Sequence, residues 1–161
     1  MKRLLLLFVF LLLGMAACTQ MDNTAKENKA MAQRWVDAAW HNRNVNAVDE
    51  FFSTNSISHE GSVEVKGIEG MREGVNMFHH AFSNIRVTFE EQVASGDKIA
   101  VRWRVKATHQ GEFMGIPATG KEVTWTGIFI ARIANGKFAE VWQDMDALGL
   151  INQLKAETPM K

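Results

Sequence analysis

Cysteine is nearly missing: the 161 residues contain one, Cys18. A disulfide inside the folded part is thereby excluded. An excess of one charge is also missing, since eighteen basic residues balance eighteen acidic ones. The basic patch or stripe of a nucleic-acid binder is not expected from such a balance. The longest apolar run, Leu4–Leu13, has about half the roughly twenty residues that a membrane-spanning helix needs. Histidine is sparse and badly spaced for a metal. His79 and His80 are neighbours on a predicted helix and point in different directions, so no zinc set is expected. Nothing in the chain calls for another cofactor. Tyrosine is absent, but there are five Trp and ten Phe, enough for a core or a lined cavity. There is no internal repeat, and no low-complexity stretch beyond the first residues.

What is present begins with a signal. Lys2 and Arg3 precede the apolar run, and Gly14, Ala16 and Ala17 are small, the three-part layout of a secretory signal peptide. Met15-Ala16-Ala17-Cys18 resembles a bacterial lipobox, which implies cleavage after residue 17 and lipidation of Cys18. Thr19, rather than Asp, follows the cysteine, a pattern resembling lipoproteins passed to the outer membrane. The expected organisation is a signal peptide over 1–17, a polar tether over 18–29, one domain over 30–156 and a tail over 157–161. The expected location is the cell envelope, facing the periplasm, with two or more acyl chains holding the protein firmly. The alternative is a plain secretory signal with Cys18 incidental. Without residues 1–17 the charge is −2, because Lys2 and Arg3 are lost and no acid is. The remaining length suits one domain.

The periodicity predicts helices first. Met31, Trp35, Ala38 and Ala39 form an apolar stripe on a helix over Ala25–Asn42. Asn44 can cap a second short helix carrying Val45, Val48, Phe51 and Phe52. Ser56–Val65 reads as a short hairpin. Ile68, Met71, Val75, Phe78 and Phe82 step by three and four through a helix over Gly67–Phe82. The period then changes to two. Val87, Phe89 and Val93 alternate with polar residues, and so do Ile99, Val101, Trp103 and Val105 after the turn at Gly96-Asp97. A loop over 111–120 follows. Val123–Ile133 is apolar on both faces and is expected to be a central or doubly covered strand. Asn135-Gly136 signals a tight hairpin, Phe138–Asp144 returns, and Leu148–Leu154 closes as a helix. Helices before a four-strand antiparallel meander predict an α+β fold, with the helices on one side of a curved sheet that encloses a pocket.

Read together, several segments resemble one family. Residues 108–121, Thr-His-Gln-Gly-Glu-Phe-Met-Gly-Ile-Pro-Ala-Thr-Gly-Lys, resemble the "tHxGeFmGIPpTGk" segment of the SnoaL-like polyketide cyclases, also called ester cyclases. Residues 132–137 resemble their "RixdGK" hairpin. Glu140-Val141-Trp142 and Asp146-Ala147-Leu148-Gly149-Leu150, with Gln153-Leu154, resemble their "EhW…DxlGLlxQL" ending. His59 and Gly67-Ile68-Glu69-Gly70 match the "H…GxeG" region. The resemblance spans residues 31–154. It implies a nuclear-transport-factor-2-like cone, frequent homodimerisation through the sheet, and cofactor-free ring closure of a carbonyl compound. In such closure an aspartate removes an acidic proton beside carbonyls. Function varies widely on this fold, so the fold alone decides little.

Asp146 stands at the aspartate preceding "xLGL" and is the first candidate for general acid/base. Its other reading is an N-cap for the closing helix. Along a strand Trp142, Asp144 and Asp146 share a face, and a carboxylate beside a buried indole would be desolvated, which raises its pKa. Asp144 is the rival carboxylate, because Gln143 occupies a position that is often acidic in the family. His59 is the third catalytic candidate, to orient a carbonyl or pair with Asp146, or else it is structural. Glu140 reads as an ion-paired strand residue. His109 reads first as an anchor of the 111–120 loop and second as a substrate contact. Trp35, Phe78, Phe82, Trp103, Trp125 and Trp142 are candidates for the pocket wall or simply for the core. Arg102, Arg104 and Lys106 read as a solvated sheet face or dimer rim. Ser53, Ser56 and Ser58 show no triad. The expected partner is a small, largely apolar carbonyl compound, which the protein binds and cyclises, isomerises or hydrolyses. The alternatives are a non-catalytic binding pocket and a purely structural envelope module.

Overall fold

The structure is a computed structural model, and it describes residues 23–156. The signal segment, Cys18 and the tail over 157–161 lie outside the described residues.

Helix α1 covers residues 23–36 and continues into a π-helical turn, Asp37–His41. The helix expected from Ala25 thus begins two residues earlier, and residues 23–29 of the expected tether are helical. Their attachment is polar, which is why no apolar stripe betrays it: Asn28 is buried and its amide donates to the Gly96 carbonyl at 3.0 Å. At the other end of α1, the Val87 N–H donates to His41 Nε2 at 3.1 Å. That leaves Nδ1 to donate to Asp37 at 3.0 Å. Helix α2, Ala47–Phe51, follows a turn in which Asn44 Oδ1 accepts from the Asn46 N–H.

Strands β1 (Phe52–Glu60) and β2 (Val63–Lys66) form the predicted hairpin. Helix α3, Gly67–Ala81, follows β2 with no intervening loop and runs directly into β3, Phe82–Ser95. Its buried residues Met71 and Val75 lie on the predicted stripe. A Cβ on Gly70 would meet the Val65 side chain at 2.8 Å, so α3 lies tight against β2, whereas a Cβ on Gly74 would meet nothing within 4 Å. The last carbonyls of α3 have partners from far along the chain. Arg43 donates to the carbonyls of His79 and Phe82, and the N–H groups of Gln110 and Gly111 donate to that of Ala81.

Strands β4 (Lys98–His109), β5 (Glu122–Ala134) and β6 (Lys137–Met145) complete the meander, and α4 (Ala147–Lys155) closes it. The six strands lie in the order β2-β1-β6-β5-β4-β3. All pairs are antiparallel except β1 with β6, which is parallel. Register shifts break the β3–β4, β5–β6 and β1–β6 ladders, and bulges of this kind bend a sheet. The result is the expected α+β architecture, with a mixed sheet curved around one covered face.

Helices α1 and α3 pack on that face, where two apolar clusters meet through Trp40, Val87 and Trp103. Strand β5 is central, as its composition predicted. It is not covered on both faces: Ile128 and Ile130 are 51% and 43% exposed, because α1 and α3 occupy only the concave side. Gly127, facing inward on β5, opens room for an aromatic neighbour. A Cβ there would meet the Trp103 ring at 2.2 Å.

Candidate functional site

The curved sheet and the two helices do not close on each other. Between them lies a cavity of about 1000 Å³, at the upper end of the range for small-molecule sites. Trp35 and Trp40 line it from α1, Phe78 from α3, and Trp103, Trp125 and Phe129 from the sheet. Of the predicted wall, Trp35, Phe78, Trp103 and Trp125 are therefore in place. Phe82 lies behind the wall, fully buried against Phe113 and Trp125 with ring centroids 5.1 Å away. Trp142 is not on the wall. Alternation along β6 sends Val141, Gln143 and Met145 inward and Trp142 to the convex face, where it is 37% exposed. The buried indole expected beside the acidic end of this strand is therefore absent.

The lining is apolar except at one end. There the exposed lining residues are Glu60, Gly61, Glu64 and Lys66 of the β1–β2 hairpin, Glu73 and Met77 of α3, Met114 of the 110–121 loop, and Asp144 of β6. These residues form the mouth. Just inside it, Ser58 is buried and its hydroxyl donates to Glu60 Oε1 at 3.3 Å. Gln143 Nε2 donates to the same oxygen at 2.7 Å. A carboxylate held by two donors at the edge of an apolar cavity is thus preset in one position. Glu60, Ser58 and Gln143 carried no sequence signal as a group. Ser58 and Glu60 do stand two apart on one strand, but their meeting with Gln143 depends on the parallel β1–β6 register, which pairs Glu60 with Gln143.

The other sequence candidates lie elsewhere. Asp146 is exposed and does not line the cavity. It is the N-cap of α4, with Oδ1 accepting from the Gly149 N–H at 2.8 Å. A Cβ on Gly149 would lie 2.1 Å from that carboxylate, so the glycine of the motif serves the cap. His59 points to the convex face and stacks on Trp142, with centroids 5.4 Å apart and planes at 10°. Its ring nitrogens meet Glu140 at 3.1 Å and Glu64 at 3.6 Å, not Asp146. The bond from His59 holds the Glu140 carboxyl below the usual range, with Arg132 assisting. Bonding to Lys66 does the same for Glu64.

His109 is fully buried, and its Nδ1 accepts from the Thr119 N–H at 3.2 Å. The Gly120 N–H donates to its carbonyl, and its own N–H donates to that of Lys121. Its position is that of a loop anchor outside the cavity lining. Burial pushes its pKa down, and the Lys121 charge adds to this. His79 is lowered by burial and then by Arg43. Arg102 and Arg104 both pair with Glu90, so the basic stripe is neutralised in part by its own sheet. Among the described residues no cluster of three or more His, Cys, Asp or Glu side chains could hold a metal.

Residues 30–154 match the family model for SnoaL-like polyketide cyclases. The chain belongs to this family. Among curated relatives it is similar to the aklanonic acid methyl ester cyclase DnrD of Streptomyces peucetius, 26% identical over 114 residues that cover 68% of this chain and 75% of that one. Two solved structures of similar shape are AclR of Streptomyces galilaeus and TsrD of Streptomyces laurentii. AclR has a TM-score of 0.74 at 29% identity, covering 81% of this chain and 96% of its own. TsrD has 0.70 at 30%, covering 80% and 97%. Both of those chains consist almost wholly of the matched region.

The buried histidines set a pH dependence. Both have folded-state pKa values below the unfolded value of about 6.5, so the unfolded chain takes up protons first. Stability is therefore full above about pH 6.5 and declines as pH falls toward the folded-state values. Urea unfolding should give a lower midpoint at about pH 5.5 than at about pH 7.5, and the difference should shrink in His109→Gln. A flat profile would contradict neutral, buried imidazoles.

Proposed function

We propose that this SnoaL-like domain binds a small, largely apolar carbonyl compound in its cavity and moves a proton on it without a cofactor. The observation that carries this reading is an aromatic cavity of about 1000 Å³ whose polar groups gather at one end. A carbonyl compound entering apolar end first would leave its acidic C–H near Glu60 and Asp144 at the mouth. One of these carboxylates removes the proton. The Gln143 amide, on the cavity wall, is placed to donate to the enolate oxygen that forms. Intramolecular attack of the enolate carbon on a second carbonyl would close a ring and leave an alkoxide, which would take the proton back from the carboxylic acid. Ring closure is the class of reaction named for the Streptomyces peucetius relative. Isomerisation or hydrolysis would use the same groups. Asp146, the residue at the family position, is the rival base, but its carboxylate oxygen is engaged as the α4 cap.

Two further expectations belong to this reading. The signal over residues 1–17 and Cys18 support a lipid-anchored protein facing the periplasm, an unusual place for a polyketide tailoring step. That location favours the second reading, a pocket that binds without turnover. The exposed convex face with Ile128, Ile130 and Trp142 supports a homodimer through the sheet, since contiguous exposed apolar side chains mark interaction surfaces.

Proton transfer is tested by deuterium exchange beside the carbonyl of aryl ketone and β-keto ester probes, followed by NMR. Glu60→Gln should cost about a hundredfold or more in exchange rate. Asp146→Asn, which keeps a capping oxygen, should leave both exchange and stability nearly intact, whereas Asp146→Ala should lower stability by about 1 kcal/mol. If Asp146→Asn is the change that abolishes exchange, the cap residue is the base and the assignment to Glu60 is wrong. If no probe exchanges yet the probes bind, the non-catalytic reading holds. Anchoring is checked by fractionation: Cys18→Ser should move the protein from the membrane to the soluble fraction. Dimerisation is checked by sedimentation, in which Ile130→Asp should halve the mass, and an unchanged monomeric mass in the parent would remove the dimer.

A further inference from the structure

Four of the five tryptophans, Trp35, Trp40, Trp103 and Trp125, line the cavity. Among the described residues no hydrogen bond uses the indole N–H of any of them. Two of these side chains are more than nine-tenths buried: Trp35 is 8% exposed and Trp125 is 4% exposed. A buried indole N–H ordinarily finds an acceptor, because burial takes its bond to water away. Neither nitrogen is sealed off, however. The buried side-chain nitrogen and oxygen atoms that lack a partner among the described residues belong to Ser56, His79, Gln92 and His109. The nitrogens of Trp35 and Trp125 therefore keep accessible surface, and the space that these two buried side chains border is the cavity.

Both rings are held in place by their neighbours. Trp125 lies against Phe82, with centroids 5.1 Å apart, and stacks on Phe78 at 6.3 Å. Trp35 packs edge-on against Phe52 at 5.0 Å and against Trp40 at 6.4 Å. The two donors are thus preset, one from the helical layer and one from the sheet. The polar lining residues gather at the mouth, and none of them accepts a bond from either indole. Donors fixed in direction and left open by the wall are complementary to something that enters the cavity.

We infer that Trp35 and Trp125 are specificity-determining donors, whose indole N–H groups bond to neutral acceptor oxygens on the body of the ligand. This inference rests on the cavity being the binding site and narrows the class of carbonyl compound. The ligand is then oxygenated along the part that the aromatic wall encloses, as well as at the mouth. A plain hydrocarbon body of the same shape would bury both N–H groups unpaired, and that cost discriminates between bodies of equal size. Aromatic surface supplies affinity, and a few placed polar groups choose orientation.

The test compares two probes of one shape, 1,4-diacetylbenzene and 1,4-diisopropylbenzene. It uses the full chain carrying Cys18→Ser, so that no detergent competes for the cavity. The nitrogen-labelled protein gives five indole N–H signals in NMR, assigned by single Trp→Phe variants, with Trp142 on the convex face as the internal control. The diketone should move the Trp35 and Trp125 protons downfield, the hydrocarbon should not, and Trp142 should respond to neither. Calorimetry should show the diketone binding about tenfold tighter than the hydrocarbon. Trp35→Phe and Trp125→Phe each remove one N–H and keep an aromatic ring. Each should weaken the diketone about fivefold relative to the hydrocarbon. If the bound diketone leaves either signal in place, or if the variants weaken both probes alike, the assignment is wrong while the cavity reading stands. If neither probe binds, the assignment and the cavity reading fail together.

Discussion

Arg43 pins this fold. Its guanidinium donates to the carbonyls of His79 and Phe82, at the point where α3 becomes β3 without a loop. The final carbonyls of a helix have no partners within it and must find them elsewhere. Here one long side chain from the segment after α1 supplies two of them, and the 110–121 loop supplies the next through Gln110 and Gly111. The end of α3 therefore fixes both the helical layer and the loop that borders the cavity. Losing Arg43 would leave buried acceptors unpaired, at about 1–3 kcal/mol each. It would also loosen the two elements whose separation sets the cavity height.

The cavity exists because the sheet is bent and its concave face is only partly filled. Small residues decide where the walls come close. Gly70 brings α3 against β2, and Gly127 lets the Trp103 ring lie across β5. Gly74 faces open space instead. The same helix thus closes the domain at one turn and leaves it open at the next. This division between packing and vacancy along a single element makes a binding site compatible with a continuous core.

Most elements were legible because each announces itself locally. The stripe of Met71, Val75 and Phe78 defines α3, the alternation from Ile99 to Val105 defines β4, and Asn135-Gly136 defines the β5–β6 turn. What was hidden depends on contacts between distant segments. The parallel β1–β6 pairing is one such contact, and it alone brings Glu60 beside Gln143. The contact of the Asn28 amide with Gly96 is another, since it fastens the start of α1 without an apolar face. Strand direction misled at Trp142. Alternation did not say which face of β6 looks inward, and Asp144 borders the cavity mouth while Trp142 lies on the convex side. Asp146 shows the complementary difficulty: one short motif satisfies a helix cap and a family position equally well, and only coordinates show which oxygen is already bonded.

The Asn28–Gly96 contact also sets a direction. It fastens the beginning of α1 to the β3–β4 turn, beside the β5–β6 turn, where the Ile133 N–H donates to the Asp97 carbonyl at 2.7 Å. The opening lies at the opposite pole, among the last residues of β1 and β6 and the loop after β4. Strand β4 alone, twelve residues long, spans about 35 Å between these poles at the usual strand rise. With the proposed anchor at Cys18, the body would stand like a cup on its base, and whatever fills it would arrive from the side facing away from the support.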